Sequence, residues 1–294
     1  MVNINFFSNI SDIQNKTILL RLDLNVPLKD KVIQDYTRID LCLPFLKKLI
    51  EKKAKIVIVS HLGRPKGQKN PELSLTPVYK YLKKNLDTNV YFFMGNLDGD
   101  VKKKFSYQKA GEVILFENIR YFKEEENNDE MFSKRLASIC DIYVNDAFSC
   151  SHRKQASIHK ITKFAKKSYA GPLLKKEIDA INLIIKNKKK PVTFIIGGSK
   201  VSTKINIISN LLKKIDTLVI VGAMANNFIA FKGYNIGNSL IEKNTKTIVE
   251  KILKNANENN CEVLIPQDCK VGTKFSGKSE HRQIDKVKEQ EIIL

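Results

Sequence analysis

Tryptophan is absent from this 294-residue chain, and only seven of its 51 basic residues are arginine: Arg21, Arg38, Arg64, Arg120, Arg135, Arg153 and Arg282. No apolar run reaches the roughly 20 residues a membrane span needs; the best, Leu218 to Phe231, is broken by Asn226 and Asn227, so no membrane partner is expected. The first basic residue is Lys16, and the N-terminus therefore lacks the charged start of a secretory signal. Five cysteines, Cys42, Cys140, Cys150, Cys261 and Cys269, show neither CxxC spacing nor a regular framework. That scatter excludes a disulfide scaffold and reads as reduced thiols in a cytoplasm. A hydrophobic share of 43% excludes wholesale disorder. A chain of roughly 300 residues buries about three quarters of its unfolded surface, enough for one large domain or two ordinary ones.

What is abundant is lysine, and it gives a formal net charge of +20. A phosphodiester binder concentrates arginine with aromatics along one stretch, because a guanidinium forks onto phosphate and stacks on bases. Here lysine is spread almost evenly, as at Lys102–Lys104, Lys166–Lys167 and Lys188–Lys190. The charge describes a solvated surface and a field that attracts anions, with no nucleic-acid partner expected. Against that background an arginine is the more informative cation.

Short β-branched runs alternate with segments of helical period. The strands expected are Lys16–Leu24, Lys55–Ser60, Val90–Phe93, Val113–Asn118, Ile142–Asp146, Pro191–Gly198, Thr217–Gly222 and Glu262–Pro266. The helices expected are Arg38–Lys52, Thr76–Leu86, Glu130–Ile139, Pro172–Lys186, Ser202–Lys213 and Lys243–Ala256. Uninterrupted apolar strands such as IVIV and VILF, alternating with helices, specify parallel sheets covered on both faces, an α/β fold. Gly171-Pro172 is a helix entry signal and marks a boundary. The expected organisation is residues 1–171 as one domain, 172–187 as a joining helix and candidate hinge, and 188–294 as a second domain.

In doubly wound sheets, ligands sit outside the carboxyl ends of the strands. Asp23 and Asn25 follow the first strand and share a face, offering acceptors and an amide to a polyhydroxyl ligand; the same pair equally serves turn chemistry. The second strand runs into Ser60-His61-Leu62-Gly63-Arg64, the fourth into Glu117-Asn118-Ile119-Arg120, and the fifth into Asn145-Asp146 and then Ser151-His152-Arg153. Arg38 opens a helix after Asp35, where terminal amides already favour anions. Arg38, Arg64, Arg120, Arg153 and His61 thus converge on the doubly wound assumption, forming a basic bowl for a small, highly charged anion. Glu124–Glu126 reads as a solvated acidic run. In the second domain, Gly197-Gly198-Ser199-Lys200 and Lys204 place bare amides and ammonium groups at a strand-to-helix turn, which is phosphate-cradling logic. The stretch does not fit G-x-x-x-x-G-K-[ST]. Gly222 ends the next strand where backbone can approach a ligand.

RLDLNVP, SHLGRPKG, LFENIRYFKEEENND, YVNDAFSCSHRKQAS, GPLLKKEI, GGSKVSTKI and GAMANNF together, over roughly residues 16 to 240, resemble the phosphoglycerate kinase family in order and spacing. The resemblance implies two Rossmann-like domains and reversible phosphoryl transfer from ATP, as its magnesium complex, to 3-phosphoglycerate, giving ADP and 1,3-bisphosphoglycerate. It implies a triose site of Asp23, Asn25, Arg38, His61, Arg64, Arg120 and Arg153, with Arg38 nearest the transferring group. It also implies nucleotide contacts from Gly197, Gly198, Lys200, Lys204 and Gly222, with Lys200 meeting the migrating phosphoryl, in a cytoplasmic enzyme that is monomeric at full length. Against the family's pattern, a Trp-Asn-Gly-Pro segment, a Gly-Gly-Gly-Asp loop with its metal-binding aspartate, a terminal Gly-rich segment and a ribose-holding glutamate are not found, and Ala223 replaces a glycine. The expectation is therefore a shortened chain with a complete triose half-site and an incomplete nucleotide half-site. No metal ligand falls within it, and its own catalysis should be poor; the alternative is a non-catalytic triose-acid-binding remnant.

Overall fold

The computed structural model describes residues 4–7, 12–186 and 190–294, without the side chains of residues 184–186. The expected boundary at 187/188, with Lys188 and Lys189, lies outside the described residues. The chain divides into two compact units, Met1–Ile181 and Asn182–Leu294.

The first unit is built on a six-stranded sheet in the order Val90–Phe93, Val113–Phe116, Lys55–Val59, Thr17–Arg21, Ile142–Asn145, Ser168–Ala170. All five pairings are parallel. Successive side chains of a strand point to opposite faces, and the burial pattern shows it. Ile18, Leu20, Ile56, Ile58, Val113, Leu115 and Val144 fill one core, under the helices Thr37–Glu51 and Thr76–Asn85. Their neighbours Leu19, Val57, Val59, Ile114, Phe116 and Tyr143 fill the other, with Phe132 and Leu136 of the helix Glu130–Ser138. Two covered faces are what uninterrupted apolar strands require. On the helix Thr37–Glu51, Ile39, Cys42, Phe45, Leu46 and Leu49 are buried at three- and four-residue spacing. That leaves Arg38, one residue into the helix, on the exposed face.

The second unit pairs Thr193–Gly197 with Thr217–Val221 and that strand with Glu262–Leu264, all parallel. It also holds an antiparallel sheet of Asp268–Gly272 between Glu280–Gln283 and Ile292–Ile293, beyond the strands the sequence pattern announces. These strands carry charged sequences such as EHRQ and lack the apolar run that announces a strand. The helix expected over 202–213 resolves into a 3₁₀ turn, Ser202–Lys204, and a seven-residue helix, Ile205–Leu211. The one expected from Lys243 begins at Lys246, because Asn244 has φ +58°, which a right-handed helix does not accommodate.

Candidate functional site

The four central strands of the first sheet deliver their carboxyl ends to one edge, and hydrogen bonds between the loops that follow lock that edge together. Ser60 Oγ accepts the Leu24 amide at 2.9 Å and donates to the Leu22 carbonyl at 2.8 Å. Asn25 Oδ1 accepts the Gly63 amide at 2.8 Å. Gly63 has φ +60°, and a Cβ there would fall 2.7 Å from Leu73 Cδ2, so another residue would strain the backbone and displace the Leu73 side chain. Asn118 Nδ2 donates to Leu62 and Leu73 carbonyls at 2.7 and 2.9 Å. Arg120 is 3% exposed and donates to the Gly63 carbonyl at 2.9 Å and to Gln155 Oε1 at 3.3 Å. Its Nε, buried, has no protein partner.

Arg38 Nη1 donates to Asp23 Oδ2 at 2.7 Å, and the Ser149 hydroxyl donates to the same oxygen at 2.5 Å. Asp23 Oδ1 accepts the Asn25 amide at 3.1 Å. Asp23 is thus an orienting acceptor for Arg38, with Asn25 Nδ2 the donor left over in this pair of loops. His61 is 5% exposed, and its Nδ1 lies 3.2 Å from Nη2 of the fully buried Arg21. A guanidinium can only donate, so Nδ1 is the acceptor and the ring proton sits on Nε2. Burial, then the charges of Arg21, Arg120, Arg153 and Arg38, push the His61 pKa down to about 2. The ring is neutral at physiological pH, and four guanidinium groups act on it at once. Arg153 is half-buried and joins them from the loop after Ile142–Asn145. Arg64 is exposed and has no hydrogen-bond or ion-pair partner among the described residues.

Sequence reasoning passed over three parts of this site. Arg21 closes the apolar run TILLR and points inward, and a cation at a core-facing strand position was the available signal. Ser149 shares Asp23 with Arg38, which nothing in its local sequence announces. Glu124–Glu126 is not uniformly solvated: Glu125 is fully buried, and its carboxylate accepts the amide and hydroxyl of Ser157 at 2.8 and 2.6 Å. Three identical letters carried no hint of which one turns inward.

Beside the bowl, Asp146 Oδ1 accepts the Leu174 amide at 2.8 Å while Oδ2 is buried without a partner. Burial pushes its carboxyl up to about 6, although the Leu174 and Leu173 amides pull the other way. The fold thus favours the protonated form, whose contribution is full below about pH 3.8 and is lost as pH rises through 6. A rise of about two pKa units corresponds to roughly 3 kcal/mol. Urea unfolding of the first unit should therefore show Asp146→Asn gaining stability over the parent as pH climbs from 4 to 8; parallel curves would exclude Asp146 as the titrating group.

In the second unit, Gly197 and Gly198 end the Thr193–Gly197 strand. Gly198 has φ +143°, and a Cβ there would lie 3.3 Å from Lys204 Cε. Gly222 faces it: a Cβ on Gly222 would be 3.4 Å from the Gly198 amide nitrogen. Gly198, Lys204 and Gly222 therefore meet around one backbone patch, while Lys200 is exposed on the same loop. At the 3₁₀ turn that follows, Glu242 accepts both the amide and the hydroxyl of Ser202. The described residues contain no group of three or more His, Cys, Asp and Glu able to hold a metal ion. They do not fit a resident magnesium site.

Fold and site define a class: α/β proteins that collect guanidinium groups at the carboxyl edge of a parallel sheet to receive a compact anion. The chain belongs to the phosphoglycerate kinase family, a family of phosphotransferases, whose model matches residues 8–294. The phosphoglycerate kinase of Wolbachia pipientis wMel is 44% identical over 284 residues, covering 96% of this chain and 71% of the relative. That of Chelativorans sp. (strain BNC1) is 39% identical over 296 residues, covering 100% of this chain and 74% of the relative. The structure of phosphoglycerate kinase from Coxiella burnetii superimposes with a TM-score of 0.82 at 39% identity, covering 99% of this chain and 74% of that one. No helix among the described residues is long and apolar enough to cross a membrane.

Proposed function

We propose that the first unit holds 3-phosphoglycerate or 1,3-bisphosphoglycerate in the bowl of Asp23, Asn25, Arg38, His61, Arg64, Arg120 and Arg153. The second unit holds ATP or ADP, taken as its magnesium complex, over Gly197, Gly198, Lys200, Lys204 and Gly222. Residues 1–171 serve as the triose-acid domain, 172–187 as the joining helix and 188–294 as the nucleotide domain. The observation that carries the reading is the gathering of Arg21, Arg38, Arg120 and Arg153 around one neutral imidazole, an arrangement costly to bury unless an anion answers it.

The chemistry needs no general base. An acid whose pKa resembles that of an α-carboxyl, about 3.3–3.7, is already ionised at neutral pH, so its oxygen attacks phosphorus directly. The protein's work is to align two anions and to neutralise charge on the moving phosphoryl group. Arg38 is suited to the second task because Asp23 holds Nη1 and fixes the guanidinium plane, leaving its other nitrogens for phosphoryl oxygens. His61 donates from Nε2 and Asn25 from Nδ2, which suits a phosphate or hydroxyl. Lys200 meets the group in transfer, and Lys204 holds a nucleotide phosphate. The protein works in the cytoplasm as a monomer, on small phosphorylated molecules and not on nucleic acid.

A coupled assay of ATP formation from 1,3-bisphosphoglycerate and ADP, run on the 294-residue chain alongside 3-phosphoglycerate binding, tests this. ATP formation with saturable binding supports it. Binding without ATP formation would favour a non-catalytic triose-acid-binding protein, and loss of both would reject the bowl. For the second unit, Gly198→Val forces a β-branched side chain onto a positive φ and against Lys204. It should weaken ADP binding by about tenfold or more, while leaving 3-phosphoglycerate binding within about twofold; unchanged calorimetric ADP affinity would remove Gly198 from the nucleotide contacts.

A further inference from the structure

Beneath the bowl runs a buried chain of hydrogen bonds that holds one guanidinium in place against the His61 ring. Burial pushes the Glu125 carboxyl up, while the Arg21 charge and the Ser157 hydrogen bonds oppose it; as a carboxylate it only accepts, and the Ser157 hydroxyl donates to it at 2.6 Å. A Ser157 oxygen lone pair then takes Nε–H of Arg21 at 3.1 Å. Arg21 is fully buried; its Nη1 is held by the Leu22 carbonyl at 2.6 Å, and its Nη2 meets His61 Nδ1 at 3.2 Å. The Ser157 backbone is itself tied, its amide to Glu125 at 2.8 Å and its carbonyl to the Tyr143 hydroxyl at 2.7 Å.

Resting on the triose-acid reading above, we propose that Glu125 is a positioning residue: acting through Ser157 and Arg21, it holds His61 as the Nε2–H tautomer that donates to the anionic substrate. Neither Glu125 nor Ser157 touches the ligand in this scheme. Their role is needed because His61 Nδ1 has a second neighbour, Cys150 Sγ at 3.8 Å. If Arg21 turns away, that sulfur can accept from Nδ1–H, and the ring proton moves to the wrong side. A glutamine at 125 would weaken the arrangement in a specific way. Its amide can donate, so the Ser157 hydroxyl can reverse and cease to direct Arg21. The Ser157 hydroxyl is the link a conservative replacement can test: threonine keeps it, alanine removes it.

The test is nitrogen NMR of the histidine rings in the full chain, with 3-phosphoglycerate affinity measured calorimetrically on the same samples. The parent should show His61 protonated on Nε2 alone; a proton on Nδ1 in the parent overturns the proposal without any variant. Glu125→Gln and Ser157→Ala should give mixed tautomers and weaken 3-phosphoglycerate binding by about tenfold, the scale of one charge-assisted hydrogen bond. Ser157→Thr should restore a single tautomer and an affinity within about twofold of the parent. Folded Glu125→Gln with an unaltered tautomer and affinity would sink the idea. A parent that shows the Nε2 tautomer but binds no 3-phosphoglycerate would reject the substrate reading instead, since the tautomer is read without ligand.

Discussion

Arg38→Ala is expected to leave the first unit folded and to reduce ATP formation from 1,3-bisphosphoglycerate and ADP at least about a hundredfold, roughly 2.7 kcal/mol of barrier. Its guanidinium is 48% exposed, and an ion pair that open contributes little to stability. Asp23 keeps the Ser149 hydroxyl and the Asn25 amide as donors after the change, so no buried acceptor is stranded. The loss should fall on kcat more than on the affinity for the triose acid, because the charge Arg38 meets is the one that develops in transfer. Arg38→Lys should recover only part of the rate, since an ammonium cannot be held on Asp23 and still present a fork to phosphoryl oxygens. Turnover of the alanine variant within about threefold of the parent would remove Arg38 from the catalytic role.

Arg120 should behave differently because it is buried. Arg120→Ala strands the Gly63 carbonyl and Gln155 Oε1 inside the protein and opens a cavity, for a loss of about 3 kcal/mol or more in the first unit. Arg120→Met keeps most of the volume, and it removes a cation whose pKa is lowered by burial and by the charges of Arg21 and Arg153. The methionine variant should therefore be the more stable of the two, yet bind 3-phosphoglycerate about a hundredfold more weakly, as expected for a lost charge-assisted contact to an anion. Thermal unfolding with and without 3-phosphoglycerate reads both effects, because a ligand that binds only the folded state raises the midpoint with its affinity. A ligand-induced rise as large in Arg120→Met as in the parent would show that the guanidinium does not meet the substrate.

The strands were legible wherever burial on both faces demanded an unbroken apolar run: Val90–Phe93 falls where expected, and Lys55–Val59 and Val113–Phe116 end one or two residues early, where the loops begin to serve the bowl. Ser168–Ala170 was not legible, since SYA has neither length nor an apolar run, and its place comes from pairing with Ile142–Asn145. The antiparallel sheet of residues 268–293 escaped for the same reason, its residues being largely exposed and charged. In the bowl, Arg38, Arg120 and Arg153 were recognisable because arginine is scarce in a chain so rich in lysine. Arg21 and Glu125 were not, because their meaning lies in being buried near each other, 104 positions apart in the chain.

Sequence alone determined the α/β class, the order of the strands along the chain and the residue types at their carboxyl ends, because local hydrophobic period and turn chemistry are properties of neighbours in the chain. Tertiary structure alone decided which of those side chains share a charge environment. Only folding brings the loops after residues 21, 59, 116 and 145 to one sheet edge, and it is there that burial turns His61 into a neutral donor and one glutamate of three into an interior partner of Ser157.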